Sequence, residues 1–216
     1  MSYKIAIDGT AGSGKSTICK LISSNLDFVF ISTGGFYRAY AYILKRANLV
    51  NSDEHLIISE LDKFNVTVKG DMFYINGDNV NQLLRDEQIS LVASEIAQRK
   101  YIREYVNKNL KKIINDNERV IMDGRGIAEE MMPDANLKFY FYSSLKIRAK
   151  RRKDEFNKMN KNKSFLSIYL DLFKRDWKDK HRELAPSKST SETIKINTTK
   201  KSIEKVFEEV KKYIKV

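Results

Sequence analysis

Tyr3-Lys4-Ile5-Ala6-Ile7-Asp8-Gly9-Thr10-Ala11-Gly12-Ser13-Gly14-Lys15-Ser16-Thr17 decides how the rest of the chain is read. An apolar run, Tyr3–Ile7, leads through Asp8 into a glycine-rich turn, after which Ile18, Leu21 and Ile22 recur at helical spacing. The turn Gly9–Ser16 fits G-x-x-x-x-G-K-[ST] in the strand–loop–helix setting that its mechanism needs. Glycines let the backbone wrap round phosphates with its N–H groups inward, and the helix N-terminus adds a partial positive charge. The candidate phosphate-binding residues are therefore Gly9, Thr10, Ala11, Gly12, Ser13, Gly14, Lys15, Ser16 and Thr17. In this motif the lysine reaches the β- and γ-phosphates of a nucleotide and the following hydroxyl is a ligand of Mg²⁺. The loop alone leaves kinase, GTPase and ATPase open.

Working outward, short β-favouring runs at Tyr3–Ile7, Phe28–Ile31, Val120–Met122, Leu137–Tyr142 and Thr193–Asn197 alternate with longer helical patterns. Nearly continuous apolar runs suit buried parallel strands. Helical spacing is clear at Phe165, Ile168, Tyr169, Leu172 and Phe173, and again at Ile203, Val206, Phe207, Val210 and Ile214. The alternation predicts an α/β fold, a five-stranded parallel sheet wrapped by helices. One segment breaks the rhythm. Val66–Lys69 and Met72–Ile75 flank Gly70-Asp71, and Asn76-Gly77-Asp78 makes a second turn. A small antiparallel β insertion is expected at about 60–85.

Composition narrows the class. At 216 residues, 42% of them hydrophobic, the chain can bury a full core, and only 2 prolines and 9 glycines argue against a disordered or fibrous one. No run reaches the length of a membrane span, the N-terminal stretch does not read as a signal peptide, and Cys19 has no disulfide partner, so a cytoplasmic protein is expected. The formal charge is +12, and 14 Lys and Arg face 5 Asp and Glu between Lys146 and Arg182. Such an excess suits an anionic partner, or a merely solvated basic helix face. The arginines favour the first reading, because arginine grips phosphate bidentately.

Val120–Met122 ends in Asp123, a carboxylate suited to Mg²⁺ or its waters, and Arg125 follows where ligands collect in open α/β sheets. Cys19 is read as packed on the first helix. His55 and His181 lack metal-ligand spacing, and Trp177 is read as a packing residue.

Several motifs in one order resemble bacterial cytidylate (CMP) kinases, over nearly the whole chain. After the phosphate loop, Ser32-Thr33-Gly34-Gly35-Phe36-Tyr37-Arg38 looks like the family's [DS]-[ST]-G-x-x-Y-R, and Arg85 matches its nucleotide-binding arginine. Asp123-Gly124-Arg125 with Pro133-Asp134-Ala135 is similar to D-G-R-D-x-G-T…P-[DE]-A. Arg148, Arg151 and Arg152 match the arginine-rich lid, and the stretch from Arg175 through Asp179 and Arg182 to Pro186 resembles R-D-x-x-D-x-x-R-x-x-[AS]-P.

The resemblance implies a single P-loop kinase domain over residues 1–216, with a nucleotide-acceptor region at 39–100 and a helical lid with flanking helices at 148–182. It implies ATP and Mg²⁺, with CMP and dCMP as acceptors. Arg38, Arg125 and Arg175 would hold the acceptor phosphate and the transferring group. Thr33, Tyr37, Arg85 and Arg182 would bind the acceptor nucleotide, and Asp179 its ribose. Arg148, Arg151 and Arg152 would close over ATP. Lys15, Arg125, Arg148, Arg152 and Arg175 would be the catalytic charges. A monomer acting on small nucleotides, with neither nucleic acid nor membrane as partner, is expected. The family's Asp after D-G-R is Gly126 here, and Glu129 or Glu130 is a candidate substitute. A kinase for another small anionic acceptor such as UMP, a nucleic-acid-binding P-loop protein and a catalytically dead regulatory kinase are the alternatives. Lys15, Ser16, Arg125 and Arg175 together argue against the last.

Overall fold

The computed structural model describes residues 2–70, 72–181 and 186–215. The described strands are β1 (Tyr3–Gly9), β2 (Val29–Ser32), β3 (Val66–Lys69), β4 (Met72–Ile75), β5 (Asp78–Asn79), β6 (Arg119–Asp123), β7 (Leu137–Tyr142) and β8 (Ile194–Asn197). The helices are α1 (Lys15–Leu26), α2 (Thr33–Arg46), α3 (Glu54–Leu61), α4 (Glu87–Ile96), α5 (Lys100–Asn115), α6 (Leu145–Lys158), α7 (Phe165–His181) and α8 (Ile203–Lys211). Strands β2-β6-β1-β7-β8 form one parallel sheet, and β3-β4-β5 a second, antiparallel one. The expected α/β fold with a β insertion is present.

The chain divides into two compact units, Val29–Val120 and Tyr3–Phe28 with Ile121–Val216. The second unit carries the phosphate loop. Its central strands are apolar on both faces, so Ile5, Ala6 and Ile7 of β1 and Phe139 and Phe141 of β7 are sealed from solvent. Phe28, expected to open β2, lies just before it and packs edge-on against Tyr3. Val206 and Val210 of α8 are buried, and α8 packs on α1, while Ile203 at its start is exposed.

Helix α7 buries a narrower stripe than its spacing predicts. Ile168 and Leu172 join Ala149 of α6 and Ala11 of the phosphate loop in one cluster, with Phe165 and Tyr169 packed against it. Phe173 and Trp177 lie on the opposite face and are exposed, so Trp177 is not a core residue. Among the described residues, the side of α7 that is buried is the one that meets α6 and the loop. Within the expected helical lid at 148–182, α6 runs as far as Lys158. Asn160, at φ 55°, then closes α6, and Lys161 N–H reaches back to Phe156 O at 2.9 Å.

In the first unit, Phe36, Ala39, Tyr40, Ile43 and Leu44 of α2 are buried, and α2 packs on α4 through Ile89, Ala93 and Ile96. The hairpin pairs Val66 with Ile75. Its two-residue connection to β5, Asn76-Gly77, has both residues at positive φ, 50° and 91°, as tight hairpin turns require. Gly35 shows why α2 carries glycine here. A Cβ at that position would lie 2.0 Å from the Phe73 ring of β4.

Candidate active site

β1 must end in glycine. A Cβ on Gly9 would lie 1.9 Å from Phe141 O, and Gly9 has φ +141°. The close approach lets Thr10 N–H donate to the same Phe141 oxygen at 3.0 Å. Gly12 and Gly14 follow at φ +71° and +92°, conformations that L side chains rarely adopt. Lys15 then opens α1.

The Lys15 ammonium is buried and donates to Gly9 O at 3.0 Å and Thr10 O at 2.8 Å. Burial is the main reason its pKa falls to about 8. The positive charge of Arg125 adds to the fall, Asp123 opposes it, and Arg175 contributes less. Ser16 Oγ donates to Asp123 Oδ2 at the end of β6. The resulting pair of oxygen donors beside a phosphate loop fits Mg²⁺, which takes one or two protein ligands and completes its shell with phosphate and water oxygens. Among the described residues no cluster of three or more His, Cys, Asp or Glu could hold a metal by itself.

Asp8, which the sequence reading passed over, governs the segment after β6. Its two carboxylate oxygens accept the N–H groups of Ile127 and Ala128 at 2.9 and 3.0 Å. Burial raises the Asp8 pKa, against the effect of those two hydrogen bonds. The anchor fixes the backbone just beyond Arg125 and Gly126, with Gly126 at φ 71°. Arg125 forms an ion pair with Asp179 of α7.

The expected lid arginines differ from one another in setting. Arg152 is exposed, paired with Glu155 at 3.0 Å and set over the Phe156 ring. Arg148 is buried beneath the phosphate loop. Its Nε donates to Ser143 O at 2.9 Å, Nη1 to Ala11 O at 2.8 Å, and Nη2 pairs with Asp176 Oδ2 at 2.6 Å. Arg151 Nη2 donates to Thr198 O at 2.6 Å, and Thr198 Oγ1 donates to Ser13 O at 2.9 Å. Asp176 and Thr198 were also not singled out from sequence. Both lie more than 160 residues from the loop they touch, and only the fold brings them to it. Arg175 is exposed on α7.

In the unit Val29–Val120, Thr33 is the buried first residue of α2, and Tyr37 and Arg38 follow on the same helix. Arg38 Nη1 lies 3.3 Å from where a Cβ on Gly34 would sit. Arg85 is exposed at the end of the short turn Leu83–Arg85. Arg182 lies outside the described residues. Cys19 is fully buried in α1, and burial raises its thiol pKa well above the ordinary value. His181 stacks on Trp177 at 4.6 Å.

A cytidylate kinase family model matches residues 5–216. The chain is 35% identical over 215 residues to the cytidylate kinase of Thermosipho melanesiensis, covering 100% of this chain and 98% of that one. It is 39% identical over 193 residues to the cytidylate kinase of Ureaplasma urealyticum serovar 10, covering 89% and 86%. Among solved structures, TT1252 from Thermus thermophilus shares the fold with a TM-score of 0.54 at 16% identity, over 98% of this chain and 95% of that one. On the extent of these matches, the chain belongs to the cytidylate kinase family.

Proposed function

We propose that this chain transfers the γ-phosphoryl group of ATP to CMP, giving ADP and CDP, and acts likewise on dCMP. The observation that carries the reading is the family match over residues 5–216, joined to a phosphate loop whose lysine, Mg²⁺-side hydroxyl and strand-end carboxylate lie together. A cytoplasmic monomer working on free nucleotides is part of the same proposal.

Phosphoryl transfer asks a protein for positioning and for positive charge round the equatorial oxygens, and for little covalent chemistry. An oxygen of the acceptor phosphate forms a bond to the γ-phosphorus as the bond from that phosphorus to the β,γ-bridging oxygen breaks, and ADP leaves. The loop amides and Lys15 hold the donor phosphates, Lys15 exchanging its bonds to Gly9 O and Thr10 O for phosphate oxygens. Ser16 and Asp123 would hold Mg²⁺, whose chemistry when bound is to neutralise charge on the β- and γ-oxygens. By the family resemblance, Arg38, Arg125 and Arg175 hold the acceptor phosphate and the transferring group, while Thr33, Tyr37, Arg85, Asp179 and Arg182 hold the acceptor nucleotide. Arg152 closes over the donor from the exposed side of α6. The acceptor already carries an anionic oxygen, so a strong general base is unnecessary.

The test is ADP release from ATP and Mg²⁺ with CMP, dCMP, UMP, AMP or RNA as the sole acceptor. Strong stimulation by CMP and dCMP is expected. Release that no nucleoside monophosphate stimulates would overturn the proposal.

A further inference from the structure

The Thr10–Ala11 and Ala11–Gly12 peptides are both gripped from one side by a single ion pair. Asp176 Oδ1 accepts Ala11 N–H at 3.3 Å, while Arg148 Nη1 donates to Ala11 O at 2.8 Å. Asp176 Oδ2 and Arg148 Nη2 are joined at 2.6 Å, and Arg148 Nε is tied to Ser143 O. The pair thus holds one residue's donor and acceptor at once, with a carboxylate from α7 and a guanidinium from α6.

In a planar trans peptide the C=O and N–H point in opposite directions. With Ala11 N–H turned toward Asp176, the carbonyl of the same peptide, Thr10 O, turns the other way. That oxygen is the one that receives Lys15 Nζ at 2.8 Å and Ser13 Oγ at 2.9 Å. With Ala11 O turned toward Arg148, the next N–H, that of Gly12, turns away from Arg148. Thr198 Oγ1 does the same to Ser13 O, and so turns Gly14 N–H away. Ala11 O and Ser13 O are thus held by side-chain donors, and the Gly12 and Gly14 amides are turned away from those grips, the orientation that a phosphate loop needs to meet an anion. The positive φ at Gly12 and Gly14 allows it sterically, and the side-chain grips select it.

We propose that Asp176 is a positioning residue for the donor phosphates. Acting with Arg148 on the Ala11 peptide groups, it sets the direction of the loop amides and the resting place of Lys15, and so links loop geometry to the α6–α7 pair. Arg148 shares this task rather than lying open to solvent. The inference deepens the kinase reading and rests on it for its kinetic test only.

The experiment compares wild type with Asp176→Asn and Asp176→Glu. Asn keeps the shape but has one acceptor oxygen, and its amide group confronts Arg148 as a second donor. Glu keeps the charge that balances buried Arg148, and so the fold, while moving the carboxylate off the Ala11 N–H. ATP affinity is read by titration of backbone amide resonances, and KM for ATP and for CMP by steady-state assay. Both variants should shift the Ala11, Gly12 and Gly14 resonances and weaken ATP by about 10-fold, a loss of the size that one charge-assisted hydrogen bond commands. KM for CMP should stay within about twofold. Should Asp176→Asn fail to fold, Asp176→Glu carries the test. Unmoved loop resonances with wild-type ATP affinity would overturn the inference, as would an equal rise in both KM values with a lowered Tm, the mark of a merely structural pair. If wild type itself turns over no nucleotide, the kinase reading fails while the amide titration still decides the role of Asp176.

Discussion

Arg125 Nε and Asp179 Oδ2 form an ion pair in which both side chains are largely withdrawn from solvent, at 16% and 17% exposure. On the proposed function, an acceptor phosphate that binds Arg125 would share or replace that carboxylate. On the same proposal, Arg125→Ala should lower kcat/KM for CMP by about 10²–10³, since it would remove positive charge from the transferring group. KM for ATP should change little. Steady-state kinetics with each substrate varied would decide, and a loss confined to KM for ATP would contradict the assignment.

The Lys15 pKa of about 8 gives a pH signature. The charged lysine is the acid form, so kcat/KM for ATP should fall as pH rises through about 8. With ATP bound, phosphate charge favours the ammonium, and the alkaline limb of kcat should move to higher pH. Because Arg125 lowers this pKa, the limb should also move upward in Arg125→Ala. Lys15→Arg, with an always-charged group, should lack the limb whatever its remaining activity. On stability the sign reverses. An unfolded lysine titrates near about 10.4. Between about 8 and that value the unfolded chain binds more protons at this site, so the penalty for burying Lys15 is relieved as pH rises.

Ser16 and Asp123 share one hydrogen bond at the foot of the loop. Asp123→Asn should raise the Mg²⁺ concentration for half-maximal activity by about 10–100-fold, the range seen when a supporting carboxylate is lost. Excess Mg²⁺ should restore much of the rate. A Mg²⁺ titration that matches wild type would remove Asp123 from the metal's surroundings.

Gly9→Ala tests the close approach of β1 and β7. The new Cβ would meet Phe141 O at 1.9 Å, and backbone cannot swing aside as a side-chain tip can. A loss above about 4 kcal/mol is expected, enough to unfold a marginal domain. A Tm lowered by less than about 5 °C would show that the strands part without penalty.

The phosphate loop, all five parallel strands and the inserted hairpin were legible because each is a local pattern: period, glycine placement, turn residues. Asp8, Asp176 and Thr198 were not. Asp176 falls at the second position of the arginine-led motif, but nothing in the sequence assigns any of the three a role. That role comes from groups that the fold carries to each, as when Asp8 receives Ile127 and Ala128. Arg148 was legible as a phosphate-side arginine, but its burial against Ala11 O depends on how α6 sits under the loop, which no spacing encodes. Trp177 shows the converse. Apolar character predicted packing, yet Trp177 stacks on His181 of the same helix and stays exposed.

Gly126 is where base selectivity is expected to depart from the family pattern. By the family resemblance, a carboxylate at this position would accept the cytosine amino group and reject uracil, whose carbonyl oxygen would face it as a second acceptor. Glycine removes that repulsion, so wild type should discriminate CMP from UMP weakly. The structure adds a constraint. Gly126 sits at φ 71°, and the Asp8 anchor on Ile127 and Ala128 holds the following backbone in place. An aspartate there takes a left-handed conformation that it tolerates better than most residues, at a stability cost of about 1 kcal/mol. Gly126→Asp should therefore lower Tm slightly while raising the CMP preference by about 1–3 kcal/mol in kcat/KM. Gly126→Asn pays the same backbone penalty without the charge, and separates strain from recognition. Glu129 is exposed and Glu130 half-buried, and either carboxylate is a candidate substitute. Comparing kcat/KM for CMP and UMP in wild type, Gly126→Asp, Gly126→Asn, Glu129→Ala and Glu130→Ala distinguishes the cases. Strong wild-type CMP selectivity that collapses only in a glutamate variant would refute the relaxed site and name the residue that took over the missing acceptor.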